Sequence, residues 1–419
     1  MDMETDVLII GAGLSGLACA KRVAEAGIDF QIVEASDRVG GRANTDEIDG
    51  FLLDRGFQVF LTAYPEAKRV FDYEALELSH FEPGALIRYR GQFHRFVDPW
   101  RRPSHLPGTV VSPVATLMDK IRVALLRLKV TRGSLEQLYE RPELKTGDYL
   151  QQCGFSDRII ETFFRPFLSG IFLEKELATS SRMFEFVFRM FSQGHAALPR
   201  RGMRALGEQL ASRIPENRLH LETAVSSLSS EGRVELGDGR LVKANQIVIA
   251  SDPATAVRWL NGESSFVSFN ATTCYYFVAD RPPIDEPILV LNGDGSGPVN
   301  SLCVPNLVQP GYAPDGKFLV SVSVVGASDS RDQKDNEAEV RDQLSDWFGD
   351  EANSWTLLKR YSIPHALPQQ SPPALSPVAK SARAADFLIC GDSRDTASIQ
   401  GALISGRRAA EKAIETEED

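Results

Sequence analysis

Close to the start of the chain stands Val7-Leu8-Ile9-Ile10-Gly11-Ala12-Gly13-Leu14-Ser15-Gly16. Its four consecutive apolar residues are too few for a helix and suit a strand buried on both faces of a parallel sheet. Leu17, Ala18, Val23 and Ala24 then mark one helical face as far as Gly27, a helix-stop residue, and Phe30-Gln31-Ile32-Val33 reads as a second strand ending at Glu34. Strand, glycine turn, helix, strand and terminal acid make the βαβ unit of a dinucleotide-binding fold. The spacing has a chemical reason. Gly11 makes the tight turn, Gly13 lets backbone N–H groups approach a pyrophosphate, and Gly16 lets helix and strand pack closely. Leu14 and Ser15 open the helix, whose positive N-terminus stabilises the anion. Glu34, 18 positions after Gly16 and followed by Ala35, is placed to accept hydrogen bonds from an adenosine ribose. A carboxylate there disfavours a 2′-phosphate, and hence NADP.

The 419 residues around this unit are enough for two or three domains. Lys and Arg number 46 against 57 Asp and Glu, a net charge of −11, so most of the surface would repel a phosphate backbone and no nucleic-acid partner is expected. The five cysteines form no CxxC pair and the six histidines no HxxxH or HExxH arrangement, which predicts a reducing compartment and no metal site. The first residues, Met-Asp-Met-Glu-Thr-Asp, are acidic where a secretory leader is basic, and no apolar run approaches the ~20 residues of a membrane span. A cytoplasmic protein is expected.

Directly after Glu34 comes Ala35-Ser36-Asp37-Arg38-Val39-Gly40-Gly41-Arg42. This block resembles the second fingerprint of the FAD-binding flavin amine oxidase superfamily, which includes monoamine oxidases, protoporphyrinogen oxidases and phytoene desaturases. The resemblance implies that Gly41 and Arg42 sit against the FAD pyrophosphate, a role a guanidinium suits. Leu53-Asp54-Arg55-Gly56-Phe57 resembles the family segment near the flavin ring, which implicates Gly56 and Phe57. Arg200-Arg201-Gly202-Met203-Arg204-Ala205-Leu206 resembles the opening of the second cofactor segment, and Val225 falls where the family backbone meets the adenine. Phe387-Leu388-Ile389-Cys390-Gly391-Asp392 followed by a helix from Ser398 resembles the last motif, implicating Gly391, Asp392, Ile399, Gln400 and Ala402, with a positive helix terminus facing the reduced flavin. No counterpart of the flavin-linking cysteine of monoamine oxidases is evident, so the expected FAD is noncovalent.

The implied fold is α/β: a discontinuous FAD-binding domain of glutathione-reductase-like type over 1–75, 200–262 and 378–419, with an inserted α+β substrate domain over 76–199 and 263–377. Phe163-Phe164-Arg165-Pro166-Phe167 resembles the substrate domain of the porphyrinogen oxidase and desaturase branches. Phe184, Phe186, Phe188 and Phe191 follow on a helical pattern that serves either as core or as a tunnel wall. From Trp100 to Gly133 there are seven Lys/Arg and one acid, with Met118, Ile121, Leu125 and Leu128 in an apolar stripe. Two readings stand, a helix docked on a membrane surface and a helix packed on the protein. Ser328 to Glu351 carries nine acids and three bases and reads as a loop entering a solvated helix near 337–348.

The chemistry implied is hydride removal from a substrate C–H at flavin N5, with oxygen or a quinone as acceptor. Asn270-Ala271-Thr272-Thr273-Cys274-Tyr275-Tyr276 resembles the lysine-bearing strand of amine oxidases but has no lysine, and Ser398 replaces a common aromatic residue. Both departures favour a large apolar substrate, an isoprenoid, polyene or porphyrinogen, over a small or secondary amine. In Tyr361-Ser362-Ile363-Pro364-His365, Tyr361 and His365 are the catalytic candidates, His365 as proton acceptor or as a plain structural histidine. Rab GDP-dissociation inhibitors share the fold, so a noncatalytic carrier of prenyl lipids is the reading from another class.

Overall fold

The Met3–Ile10 strand lies between two parallel neighbours, Phe30–Val33 (Val7 opposite Phe30, Ile10 opposite Val33) and Leu241–Ile249 (Ile10 opposite Ile249). Val7, Leu8, Ile9 and Ile10 are buried on both faces, as the continuous apolar run requires. The computed structural model describes residues 3–98, 101, 112–229, 232–259, 268–326, 333–374, 383–384 and 387–418. Leu219–His220 extends the sheet in parallel beyond Phe30–Val33. On the other side, the first half of Leu241–Ile249 carries an antiparallel meander with Arg233–Leu236 and Val225–Leu228. Its second half takes Phe387–Ile389 in parallel, and Arg383–Ala384 adds the eighth strand, antiparallel to Phe387–Ile389. The turn around Asp238-Gly239 connects two of the meander strands, with Gly239 at φ 84°. One eight-stranded sheet is thus assembled from three distant parts of the chain, and the carboxyl ends of its parallel strands, at Ile10, Val33, Ile249 and Ile389, share one rim. In open α/β sheets that rim is where ligands bind.

The 20-residue helix Ile399–Glu418 packs across the fingerprint helix Leu14–Glu25. Contact is close because Gly406 has no side chain: a Cβ there would lie 2.0 Å from the Ser15 carbonyl oxygen.

A second, seven-stranded sheet runs in the order Thr356–Pro368, Phe269–Ala279, Phe318–Val325, Val299–Cys303, Leu289–Asn292, Gly84–Tyr89 and Gln92–Val97. All its pairings are antiparallel except Leu289–Asn292 with Gly84–Tyr89. The acidic stretch forms the helix Gln333–Phe348, longer than the sequence reading, with part of that stretch outside the described residues. It is solvated on one face only, since Val340, Leu344 and Trp347 are buried against Phe277, Val290 and Trp355. Several helices lie between residues 117 and 193, and small sheets pair Thr45–Ile48 with Phe51–Asp54 and Ala196–Leu198 with Phe60–Leu61 and Ser79–His80. Ser181–Gln193 places Phe184 and Phe186 at 0% exposure in the core. No helix among the described residues is long and apolar enough to cross a membrane.

Candidate functional site

A cavity of about 1240 Å³ opens at the rim of the first sheet and continues between the second sheet and the helices. It exceeds the ~300–1,000 Å³ of most small-ligand pockets, which suits a dinucleotide and a substrate together.

Its first wall is the fingerprint loop. Gly11 holds φ 110°, closed to most side chains, and a Cβ on it would approach the Ala250 carbonyl oxygen to 2.9 Å. Gly13 caps the helix in extended backbone with no side-chain cap, so the first N–H groups keep their capacity for a ligand. Gly11, Gly13, Leu14 and Ser15 all line the cavity. Gly16 does not. It stands behind the loop, where a Cβ would lie 1.9 Å from the Gly11 carbonyl oxygen, so its part is packing and not ligand contact.

Gly13 and Gly40 pair in a bridge, and a Cβ on Gly41 would come within 3.2 Å of the Gly13 Cα. The two glycine pairs, far apart in motif terms, therefore form one cradle of bare backbone. Glu34 lines it with Ala35. Its Oε2 accepts the Ala12 N–H at 2.7 Å and its Oε1 accepts the Ser36 N–H and hydroxyl at 2.9 Å. These bonds fix the carboxylate and leave lone pairs for a diol.

Arg42 reaches across the chain. Its Nη2 donates to Asp392 Oδ1 at 2.5 Å and its Nη1 to the Ala366 carbonyl at 2.9 Å, with 42% of the side chain still accessible. Arg42, Gly391, Asp392, Ile399, Ala402 and Val225 line the cavity. A second helix N-terminus thus meets the same space as the first. Gln400 is the exception in this motif: its buried side chain turns away and accepts the Glu66 N–H at 2.9 Å, pinning the helix to the Pro65–Val70 turn.

Gly56 and Phe57 line the cavity next to Tyr361. The tyrosine hydroxyl donates to Asp46 Oδ2 at 2.8 Å, and burial together with that carboxylate pushes its pKa well above that of an ordinary phenol. Asp46 resists its own partial burial because Arg55, Tyr361 and Arg38 hold it below the usual carboxylate range. Asp54, directly before this segment, is buried and accepts from Thr45 Oγ1 at 2.6 Å, Met203 N–H at 3.0 Å and Tyr312 hydroxyl at 2.9 Å. Burial outweighs those bonds and raises it to about 6. Through Met203, the Arg200–Leu206 segment is clamped onto the Thr45–Ile48/Phe51–Asp54 hairpin.

His365, read from sequence as a proton acceptor or a structural histidine, stands outside the cavity lining. Opposite Asn270–Thr272 the Thr356–Pro368 strand advances from Leu367 to Ile363, two residues more than its partner. The bulge breaks the alternation. His365 is exposed, its ring lies 5.1 Å from Phe269, and it does not line the cavity. Lys359, Tyr361 and Ile363, before the bulge, do. Lys359 was missed by the motif reading; period-two alternation from Tyr361 points to it.

The far arm is apolar. Phe163, Phe167, Phe188, Phe191, Met183, Val187 and Ile171 line it, with Val123 from the helix Leu117–Thr131. The four phenylalanines of the Ser181–Gln193 helix therefore divide, Phe184 and Phe186 into core, Phe188 and Phe191 into the wall. A π-turn at Ile160–Phe164 precedes Phe167, and Phe163 and Phe167 stack at 5.4 Å on the cavity while Phe164 is buried.

The family model described as flavin containing amine oxidoreductase matches residues 14–414. The chain is similar to 15-cis-phytoene desaturase of Capsicum annuum, 24% identical over 268 residues, 59% of this chain and 46% of that one. It thus spans about half the length of the desaturases it matches. It is similar to coproporphyrinogen III oxidase of Bacillus subtilis (strain 168), 25% identical over 393 residues, covering 80% of this chain and 81% of the relative. Among solved structures, cyclohexylamine oxidase from Brevibacterium oxydans IH-35A superposes over the full length of both chains with a TM-score of 0.73 at 17% identity, which speaks for the fold.

Proposed function

Since the chain belongs to the flavin-containing amine oxidoreductase family, we propose that it is an oxidoreductase that holds FAD noncovalently and removes hydride from a large apolar substrate. One observation carries this reading: the glycine cradle and the phenylalanine-lined arm are parts of one cavity. The bare backbone at Gly13 and Gly41 fits a pyrophosphate, Glu34 a ribose, and the two helix N-termini an anionic ligand. Flavin, when bound, supplies hydride acceptance. The chain's own residues do the rest. Arg42 offers positive charge at the cradle, Gly56, Phe57 and Tyr361 shape the space near the ring, and the aromatic arm excludes water and orients the substrate. None of the five cysteines lines the cavity, and burial pushes the Cys390 thiol up to about 12, which supports a noncovalent cofactor.

The segments 1–75, 200–262 and 378–419 are read as the FAD domain, and 76–199 with 263–377 as the substrate domain. The relatives' names support a polyene or porphyrinogen as substrate and the arm's apolar lining agrees, with oxygen or a quinone as acceptor and the cytoplasmic side of a membrane as the place of work. Purified protein should be yellow and release FAD on acid precipitation. Anaerobic bleaching of the flavin is then followed against amines, carotenoid precursors and porphyrinogens. Bleaching by the polyene or porphyrinogen classes is expected. Bleaching by amines alone overturns the substrate class, and colourless protein that cannot be reconstituted with FAD overturns the enzyme in favour of a lipid carrier.

A further inference from the structure

Outside the cavity, two histidines far apart in sequence meet face to face. The His80 and His195 rings stack with centroids 4.6 Å apart and planes inclined by 22°. The small sheet around Ala196–Leu198 brings them together. His80 pairs with Ala197 in the antiparallel ladder, so His195, two positions before Ala197, puts its side chain on the same face, diagonal to His80. Backbone bonds fix this end of the strand. Thr62 Oγ1 accepts the His195 N–H at 2.8 Å, the Thr62 N–H donates to the His195 carbonyl at 3.0 Å, and the Phe81 N–H donates to the Ala196 carbonyl at 2.9 Å. Neither histidine lines the cavity, but the residue that follows each, Phe81 and Ala196, does.

Core packing does not account for the pair. Both residues are exposed, and among the described residues no hydrogen bond reaches a ring nitrogen of either. Both imidazoles are also kept in the form that binds a metal. Partial burial holds the pKa of each below the ordinary 6.5, and at His195 the Arg101 guanidinium and the His80 ring add to the effect. A neutral imidazole has a nitrogen lone pair to donate, and an imidazolium has none.

We propose that His80 and His195 form a binding site for one divalent transition-metal ion of the zinc, copper or nickel class. Imidazole nitrogen suits these ions, whereas magnesium and calcium take oxygen ligands. Two adjacent ligands on a tetrahedral ion with bonds of ~2.05 Å stand about 3.3 Å apart. Rings stacked at 4.6 Å reach that span by tilting towards each other, which exposed side chains are free to do. No group of three or more His, Cys, Asp or Glu that could hold a metal is present among the described residues, so water completes the coordination and the ion stays exchangeable. An ion held here would tie the Ser79–His80 strand to the start of Ala196–Leu198 and stiffen the wall that Phe81 and Ala196 give to the cavity. The site stands independently of the flavin reading.

The test uses the full-length protein without a polyhistidine tag, stripped with EDTA. Isothermal titration with zinc should show a single ion bound per chain, and copper(II) should give an electron paramagnetic resonance signal carrying couplings from a pair of nitrogen donors. His80→Ala and His195→Ala, both at exposed positions away from the cavity lining, should leave flavin content unchanged. Each should weaken zinc binding by ~10–100-fold, the cost of losing even a group that only orients a ligand. Zinc should also raise the melting temperature of the wild type, reversibly with EDTA, and leave that of both variants in place. No zinc taken up by the wild type, an undiminished affinity in either variant, or a copper signal without the nitrogen pair would each overturn the proposal. Failure of the flavin reading shows separately, as colourless protein that still binds zinc.

Discussion

The buried Asp54 carboxyl lends itself to a quantitative test through Asp54→Asn. In the native state burial raises its pKa from 3.8 to about 6, against the pull of Thr45, Met203 and Tyr312, while in the unfolded chain it returns to an ordinary value. The folded state therefore binds the proton more tightly, and the associated stability is fully present below the unfolded value and lost as pH rises through 6. The complete span is worth about 3 kcal/mol at ~1.36 kcal/mol per unit. Between pH 5 and pH 7.5 about 1.4 kcal/mol of it disappears. Asparagine keeps an oxygen for Thr45 and Met203 and presents an amide to the Tyr312 oxygen, with nothing to ionise. With ~2.1 cal/mol/K of unfolding entropy per residue, 419 residues give roughly 0.9 kcal/mol/K, so the melting-temperature difference, variant minus wild type, should grow by about 1.5 °C from pH 5 to pH 7.5. Scanning calorimetry of both proteins across that range measures it. A difference that stays constant, or that shrinks with rising pH, would refute the argument, because it would mean that the three donors outweigh burial.

Two further substitutions address the cradle and the helix crossing. Gly13→Glu puts bulk and negative charge into the open side of the cradle, where the nearest backbone is the Gly41 Cα at 4.0 Å; the protein should fold with a normal circular dichroism spectrum and retain no flavin, and wild-type FAD content would remove the loop from the site. Gly406→Ala forces a methyl to within 2.0 Å of the Ser15 carbonyl oxygen unless the two helices part; the expected loss is ~1–3 kcal/mol or more in chemical denaturation, with weakened flavin retention because both helices open on the cavity, and an unchanged midpoint would show that the crossing is not tight.

The nucleotide half of the site was legible in the linear chain because its chemistry is backbone chemistry. A pyrophosphate cradle needs bare N–H groups at a turn, and glycine at 11, 13, 40 and 41 is the direct trace of that need. Buried parallel strands need continuous apolar runs, and Val7–Ile10 and Phe30–Val33 supply them. Side-chain destinations were another matter. Phe184, Phe186, Phe188 and Phe191 look alike in sequence, and which of them meets the cavity depends on what packs against each side of their helix. His365 satisfies any local rule for a catalytic histidine, yet two extra residues in the strand, defined only against its partner, turn it to solvent. Gln400 belongs to a cofactor motif but bonds to Glu66, 334 positions away. Arg42 finds Asp392 across 350 residues. For the Leu117–Thr131 helix, the face turned inward is fixed by Asp119, whose partners on Ser156 lie beyond the helix itself. Backbone demands are local and leave a residue-by-residue record, whereas the direction of a side chain is set by neighbours that only the folded chain brings together.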